Sequence, residues 1–266
     1  LFWPCAWGLT LVYDLSNNIN VYFFYLLLFF LGSVLMRSAG CIVNDILDRK
    51  FDKQVARTKD RPIASGKIKI STGLFYAALL CALAFLVLIN FNYFTILIAL
   101  ASMPLAFTYP LMKRYTYWPQ LFLGVTFNYG LILGWTSISG NLNIIPIVFY
   151  FGAIFWTLGY DTIYGYQDIK DDEIIGLKST SIKFKGNTKL FLIICYLILI
   201  FSLAFGGYLM NFNLFYFLFL IIPIVQLFLY QIKTFDQNNS NTCLKIFKSN
   251  NYFGLMVFLN ILIGKI

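Results

Sequence analysis

The sequence predicts an all-α polytopic membrane bundle of about nine transmembrane helices around a central cavity, with two acidic motifs facing the cytoplasm. Three observations carry that expectation. The 266 residues are 60% hydrophobic and 20% aromatic with only 12% charged, too apolar for a water-soluble domain. Apolar runs near the ~20 residues that a spanning helix requires recur along the whole chain. Nine of the eleven acidic residues gather in two regions, Asp45 to Asp60 and Asp161 to Glu173, each closing an apolar run.

In chain order the apolar segments cover 1–13, 21–43, 71–90, 93–112, 119–139, 144–165, 190–209, 212–232 and 251–266. The first and last are shorter than a span. Leu1 lies inside an apolar run with no initiator Met, so the expectation is one transmembrane domain, 1–266, lacking part of its N-terminus. Pro104, Pro110, Pro119, Pro146 and Pro223 mark bends or ends of segments, tolerated because neighbouring helices satisfy the freed carbonyls. The polar stretches Lys53 to Lys69 and Lys170 to Lys189 follow the two acidic regions and are long enough to fold over them as lids with short helices at most. The acidic regions are four segments apart, so both helices run the same way and the site is expected between two parallel halves.

Orientation follows from the basic residues, because cytoplasmic loops carry their excess. The loops after the second, fourth, sixth and eighth segments hold 18 of the 20 Lys and Arg, whereas the intervening loops hold none. Only Arg37 and Lys265 fall elsewhere. Both acidic regions therefore face the cytoplasm, or the matrix in an organelle. A net charge of +9 is explained by this topology and does not call for nucleic acid. The five cysteines include no close pair, and the absence of His excludes zinc spacings and every triad that needs an imidazole base.

The acidic regions carry chemistry. On a helix Asp45, Asp48 and Asp52 share one stripe, with Asn44 one turn above Asp48. Asp161, Asp168 and Asp172 repeat the geometry if the helix continues, with Asp171 beside them. Carboxylates that close require cations, and an oxygen-only donor set points to Mg²⁺, which binds one or two carboxylates together with substrate phosphates. Two such clusters imply a diphosphate held between metals. A departing diphosphate also needs cations, and Arg37, Arg57, Arg61, Lys113 and Lys178 are placed to supply them. Aromatic faces stabilise an allylic carbocation without trapping it, which singles out Tyr109, Tyr160 and Tyr164.

These residues resemble the UbiA superfamily of intramembrane prenyltransferases, and within it the 4-hydroxybenzoate polyprenyltransferases. The strings that carry the likeness are Ala39 to Asp45 leading to Asp48 and Asp52, Arg57 to Pro62 with Ser65-Gly66, Tyr109-Pro110 with Lys113-Arg114 and Pro119-Gln120, Gly159 to Tyr164, and Gln167 to Thr180. The resemblance implies Mg²⁺ on Asn44, Asp48 and Asp52 and on Asp168 and Asp172. It implies Asp161, Arg37, Tyr109 and Lys113 at the reacting centre, and Arg57, Arg61, Lys178, Asp45 and Tyr164 around the substrates. The implied substrates are a polyprenyl diphosphate and a small aromatic acid, joined ortho to the hydroxyl in ubiquinone biosynthesis, with no nucleic acid and no obligate protein partner. Asp60 stands where the family often has Asn.

The implied location is a bacterial inner membrane, with a mitochondrial inner membrane as the alternative. Rival acceptors are protohaem IX, homogentisate and naphthoate. A CDP-alcohol phosphotransferase would require an Asp-Gly-x-x-Ala-Arg run, which is missing from the sequence, and a cation transporter would place its carboxylates at the bilayer midplane.

Overall fold

The computed structural model describes residues 1–55 and 57–266. Within these residues the regular structure is helical throughout, in the order α1 Phe2–Val12, α2 Ile19–Asp52, α3 Ile70–Leu88, α4 Tyr93–Ala101, α5 Met103–Thr108, a 3₁₀ turn Tyr109–Leu111 and α6 Met112–Tyr115. The second half comprises α7 Pro119–Ser139, α8 Ile144–Gly165, α9 Ile169–Ile175, α10 Thr180–Lys183, α11 Thr188–Leu209, α12 Leu214–Phe219, α13 Ile221–Val225, a π-helical stretch Gln226–Ile232 and α14 Ser240–Lys265. Eight units among the described residues are long and apolar enough to cross a bilayer, and the 11-residue α1 is the shorter ninth.

Two expected spans are broken as their prolines require. The fourth runs Tyr93–Tyr115 but divides around Pro104 and Pro110, because Pro lacks an N–H and its ring clashes with the carbonyl one turn back. The eighth, Leu214–Ile232, divides at Leu220, one turn before Pro223, and ends in the π-helical stretch. The last span differs from the expected 251–266. It begins at Ser240, capped by the Asn239 side chain on the Thr242 N–H at 3.1 Å. Its polar first half is helical because Ile246, Asn250 and Phe253 are buried against the bundle.

Small residues let α1 lie against α7. A Cβ on Gly8 would come within 2.0 Å of the Leu131 carbonyl oxygen, and one on Gly134 within 2.2 Å of that of Cys5. Such backbone-to-backbone approach is how helices associate where lipid removes any hydrophobic drive. α1 also packs on α14 and α2, with Trp7 stacked on Trp156 at 5.3 Å and its indole N–H donating to Gly254 O at 2.9 Å. Aromatic and aliphatic side chains such as Phe75, Leu79 and Leu86 on α3 and Leu197 and Phe201 on α11 point outward, as a surface bathed in hydrocarbon demands.

Candidate active site

α2 is one uninterrupted helix of 34 residues, long enough at ~1.5 Å per residue to carry its C-terminal turns beyond the hydrocarbon. Asn44, Asp45, Asp48 and Asp52 therefore lie on one stripe, as the spacing predicts. The stripe is met by cations from two other segments. Arg61 Nη1 donates to Asp45 at 2.9 Å and to Asp52 at 3.2 Å, and Lys113 Nζ donates to Asp48 Oδ2 at 2.5 Å. Asp48 is 1% exposed. Its Oδ1 has no hydrogen-bond partner among the described residues, since Arg114 Nη2 stands 3.6 Å away and spends its N–H on the Leu47 carbonyl.

The second acidic region is arranged otherwise than a continuous helix would have it. α8 stops at Gly165, a turn covers Tyr166 to Asp168, and α9 restarts at Ile169. Asp168 occupies the N-cap position in a non-helical conformation, φ −119° and ψ 8°, so the expected single face of Asp161, Asp168 and Asp172 does not form. The Tyr166 and Gln167 N–H groups bond back to Ile163 and Tyr164 at 3.2 and 3.1 Å, which tightens the helix end and turns the chain. Asp168 and Asp172 consequently belong to the gap facing α2, and Asp161 remains one level deeper in the bundle.

Arg57 closes the gap between the halves. Its Nε donates to both Asp168 oxygens at 2.8 and 3.1 Å, Nη2 pairs with Asp168 Oδ2, and Nη1 donates to the Tyr164 hydroxyl at 3.3 Å. The guanidinium also lies over the Tyr164 ring, 5.7 Å from its centroid. The first polar stretch thus reaches across to the second motif, as a lid would. Burial pushes the Asp172 carboxyl up to about 6, and Lys113 opposes the shift. Lys178 is set apart: its ammonium donates to Tyr115 O at 3.1 Å and lies over Tyr117, while its own N–H donates to Lys113 O at 2.8 Å. It fastens the second lid to α6. Gln120 helps, accepting the Thr180 N–H at 3.0 Å.

Below the carboxylates lies an apolar cavity of about 240 Å³ between α2, α3, α4, α5 and α7, with Arg37 and Tyr109 at its upper end. Arg37 stands over the Phe127 ring at 5.1 Å, Tyr109 meets the same ring edge-on at 5.6 Å, and Asp161 is within electrostatic reach of both. Phe127 was not legible in the sequence, where it is one Phe among 29. Arg114 was visible only as the neighbour of Lys113, yet it flanks Asp48 and covers the Phe51 ring at 5.0 Å.

The donor set fits Mg²⁺. Its ligands would be carboxylate and amide oxygens alone, and the buried Asp48 keeps one oxygen without a hydrogen-bond partner among the described residues. Among the described residues no three carboxylates converge on one point, which suits an ion that takes one or two carboxylates and completes its shell with phosphate and water.

A membrane bundle that sets two acidic motifs and their cations above an apolar cavity has the form of an intramembrane enzyme for an amphiphilic anion. The chain belongs to the UbiA prenyltransferase family, whose model matches residues 1–261, and it is a prenyltransferase. It is 40% identical to 4-hydroxybenzoate geranyltransferase 2 of Lithospermum erythrorhizon over 100% of this chain and 86% of that protein. It is 42% identical to the mitochondrial 4-hydroxybenzoate polyprenyltransferase of Bos taurus over 100% of this chain and 71% of that one. Among solved structures, the fold matches a UbiA homologue from Aeropyrum pernix with a TM-score of 0.80 at 20% identity, covering 98% of this chain and 96% of the other. A homologue from Archaeoglobus fulgidus bound to GPP and Mg²⁺ matches with a TM-score of 0.69 at 18% identity, covering 99% and 93%.

Proposed function

We propose that this chain transfers a polyprenyl group from its diphosphate to the ring of 4-hydroxybenzoate, ortho to the hydroxyl, in a Mg²⁺-dependent reaction. One observation supports it above the rest: Arg57 and Arg61 draw Asp168 and the α2 carboxylates around a single gap at the mouth of an apolar cavity. The relatives named as 4-hydroxybenzoate geranyl- and polyprenyltransferases supply the acceptor. Mitochondrial names among them support a mitochondrial inner membrane, the alternative location, rather than a bacterial one.

Asn44, Asp48 and Asp52 on one side and Asp168 and Asp172 on the other would hold Mg²⁺. When bound, the ion would neutralise charge developing on the diphosphate oxygens. Arg57, Arg61 and Lys113 add fixed positive charge to the same oxygens, and Lys178 keeps the second lid in place. The prenyl tail enters the apolar cavity, which excludes water from the allylic carbon.

As the allylic C–O bond breaks, the diphosphate leaves with the bonding pair, and the rings of Tyr109, Phe127 and Tyr164 offer their faces to the cation left behind. Arg37 attracts the acceptor's carboxylate. The ring carbon beside the phenol forms the new C–C bond, and its proton passes to Asp161 or to water. Purified protein given geranyl diphosphate and radiolabelled 4-hydroxybenzoate should form prenylated benzoate only with Mg²⁺. Diphosphate release without that product would overturn the acceptor, and the absence of both product and diphosphate release would overturn the reaction.

A further inference from the structure

Gln226, Gln231 and Asn250 are buried together in the second half of the bundle, and the reaction proposed above uses none of them. They belong to the π-helical stretch and to the polar first half of α14. The i→i+5 winding of a π-helix sets Gln226 and Gln231 one above the other. Gln231 Nε2 donates to Gln226 Oε1 at 2.9 Å and to Asn250 Oδ1 at 3.0 Å, and the Tyr196 hydroxyl donates to Gln231 Oε1 at 2.6 Å. Gln226 Nε2 donates to Ser249 Oγ at 3.0 Å, and the Trp156 indole N–H of α8 donates to Asn250 at 2.8 Å. In hydrocarbon no water replaces a broken bond, so this network fixes the rotation of α14 against α8.

That rotation presents Phe247, one turn before Asn250. Its ring centroid lies 4.2 Å from that of Tyr164, and it meets Tyr160 edge-on at 5.7 Å. Tyr164 in turn carries Arg57. Its hydroxyl accepts the Nη1 N–H at 3.3 Å and its ring lies 5.7 Å beneath the guanidinium, whose Nε donates to both Asp168 oxygens. Tyr164 stands at the end of α8, directly before Gly165, and Phe247 is the ring that another helix sets against it.

We propose that Phe247 is a positioning residue for the donor site: through Tyr164 it sets where Arg57 stands, and with it the closure of the first lid on Asp168. This rests on the prenyl-donor reading above and adds to that site a residue from α14, which carries no acidic motif. Phe247 acts through Arg57, so its loss weakens the hold on the diphosphate and spares the aromatic acid.

Phe247→Leu removes the ring and keeps an apolar side chain, whereas Phe247→Tyr keeps the ring. In Phe247→Leu, KM for geranyl diphosphate and its Kd without acceptor should rise by about two- to tenfold, the factor that an aromatic pair is worth. KM for 4-hydroxybenzoate should stay as in the parent, and Phe247→Tyr should keep all parental values. Combined with Arg57→Ala, Phe247→Leu should cost the donor nothing further, because the coupling runs through Arg57. A general loosening of the bundle would move both KM values and would multiply with Arg57→Ala. Either result overturns the proposal, as does parental donor affinity in Phe247→Leu. A second readout needs no substrate. A guanidinium held on Tyr164 and Asp168 is withheld from trypsin, so cleavage after Arg57 relative to the exposed Lys59 should rise by a similar factor in Phe247→Leu and not in Phe247→Tyr. An unchanged ratio overturns the proposal. Should the parent protein bind no geranyl diphosphate, the donor reading fails while this ratio still decides whether Phe247 positions Arg57.

Discussion

At the scale of single residues, the buried charges around Asp48 carry the strongest expectation. Asp48 is almost wholly covered, paired with Lys113 and flanked by Arg114, so its charge is compensated within the fold, while its second oxygen is left for a ligand. Asp48→Ala and Asp168→Ala should each lower kcat/KM by orders of magnitude, because removing a ligand weakens metal and diphosphate together. Size-exclusion profiles and helicity by circular dichroism should stay as in the parent, and retained turnover in either variant would refute the metal assignment. Asp48→Asn should be nearly as inactive, since it keeps the shape and loses the charge. Arg57→Ala should raise KM for the diphosphate donor more than for the aromatic acid, as steady-state kinetics with each substrate varied would show. The α2 stripe could be read from the sequence because its helix never breaks. The second motif could not, because whether α8 continues past Gly165 is decided by the turn at Tyr166 and by the lid packed on it. A continuous helix would have set Asp161 beside Asp168, whereas the resemblance sets it with Arg37 and Tyr109, and it lies within electrostatic reach of both.

At the scale of elements, what holds the site in place is the seating of α1 on α7. α7 carries Phe127 under Arg37 and Gln120 against the second lid, and α1 meets it through Gly8 and Gly134 with no room for a side chain. Gly134→Val would force α1 away, and overpacking of this kind costs about 1–3 kcal/mol. The variant should unfold at a lower temperature in detergent, and activity at a permissive temperature should fall along with it as Phe127 shifts. An unchanged melting temperature would show that α1 is dispensable to the frame. The elements themselves were largely legible. Apolar runs near bilayer thickness fix where helices must be, since unpaired backbone groups cannot face lipid, and Pro104, Pro110 and Pro223 announce their own breaks. The start of α14 was hidden because Ser240 to Asn251 is polar in composition and helical only through what Ile246 and Asn250 pack against. Asn250 there accepts from the Trp156 indole at 2.8 Å and from Gln231 at 3.0 Å, partners that lie far away in sequence.

At the scale of the whole molecule, charge and chemistry share one end. The basic loops, both lids and the carboxylates of α2 and α9 lie together, while the opposite end has almost no cation to offer. Its one exception, Lys265, is turned inward: Nζ donates to the carbonyl oxygens of Thr10 and Leu11 at 3.0 and 3.1 Å and to that of Tyr13, closing the last turn of α1. A diphosphate cannot cross a bilayer unaided, so donor headgroup, aromatic acid and released diphosphate should all exchange on the basic side. Proteoliposomes turn this into a measurement, because trypsin cuts only after Lys and Arg. Trypsin applied to the basic face should cleave between Arg49 and Lys69 and abolish turnover. Applied to the other face it should meet only the carbonyl-bound Lys265 and leave both chain and activity intact. Cleavage in the basic loops from the face opposite to the one that accepts 4-hydroxybenzoate would place the carboxylates and the substrate entrance on different sides of the membrane, and the two-motif site would then have to be abandoned.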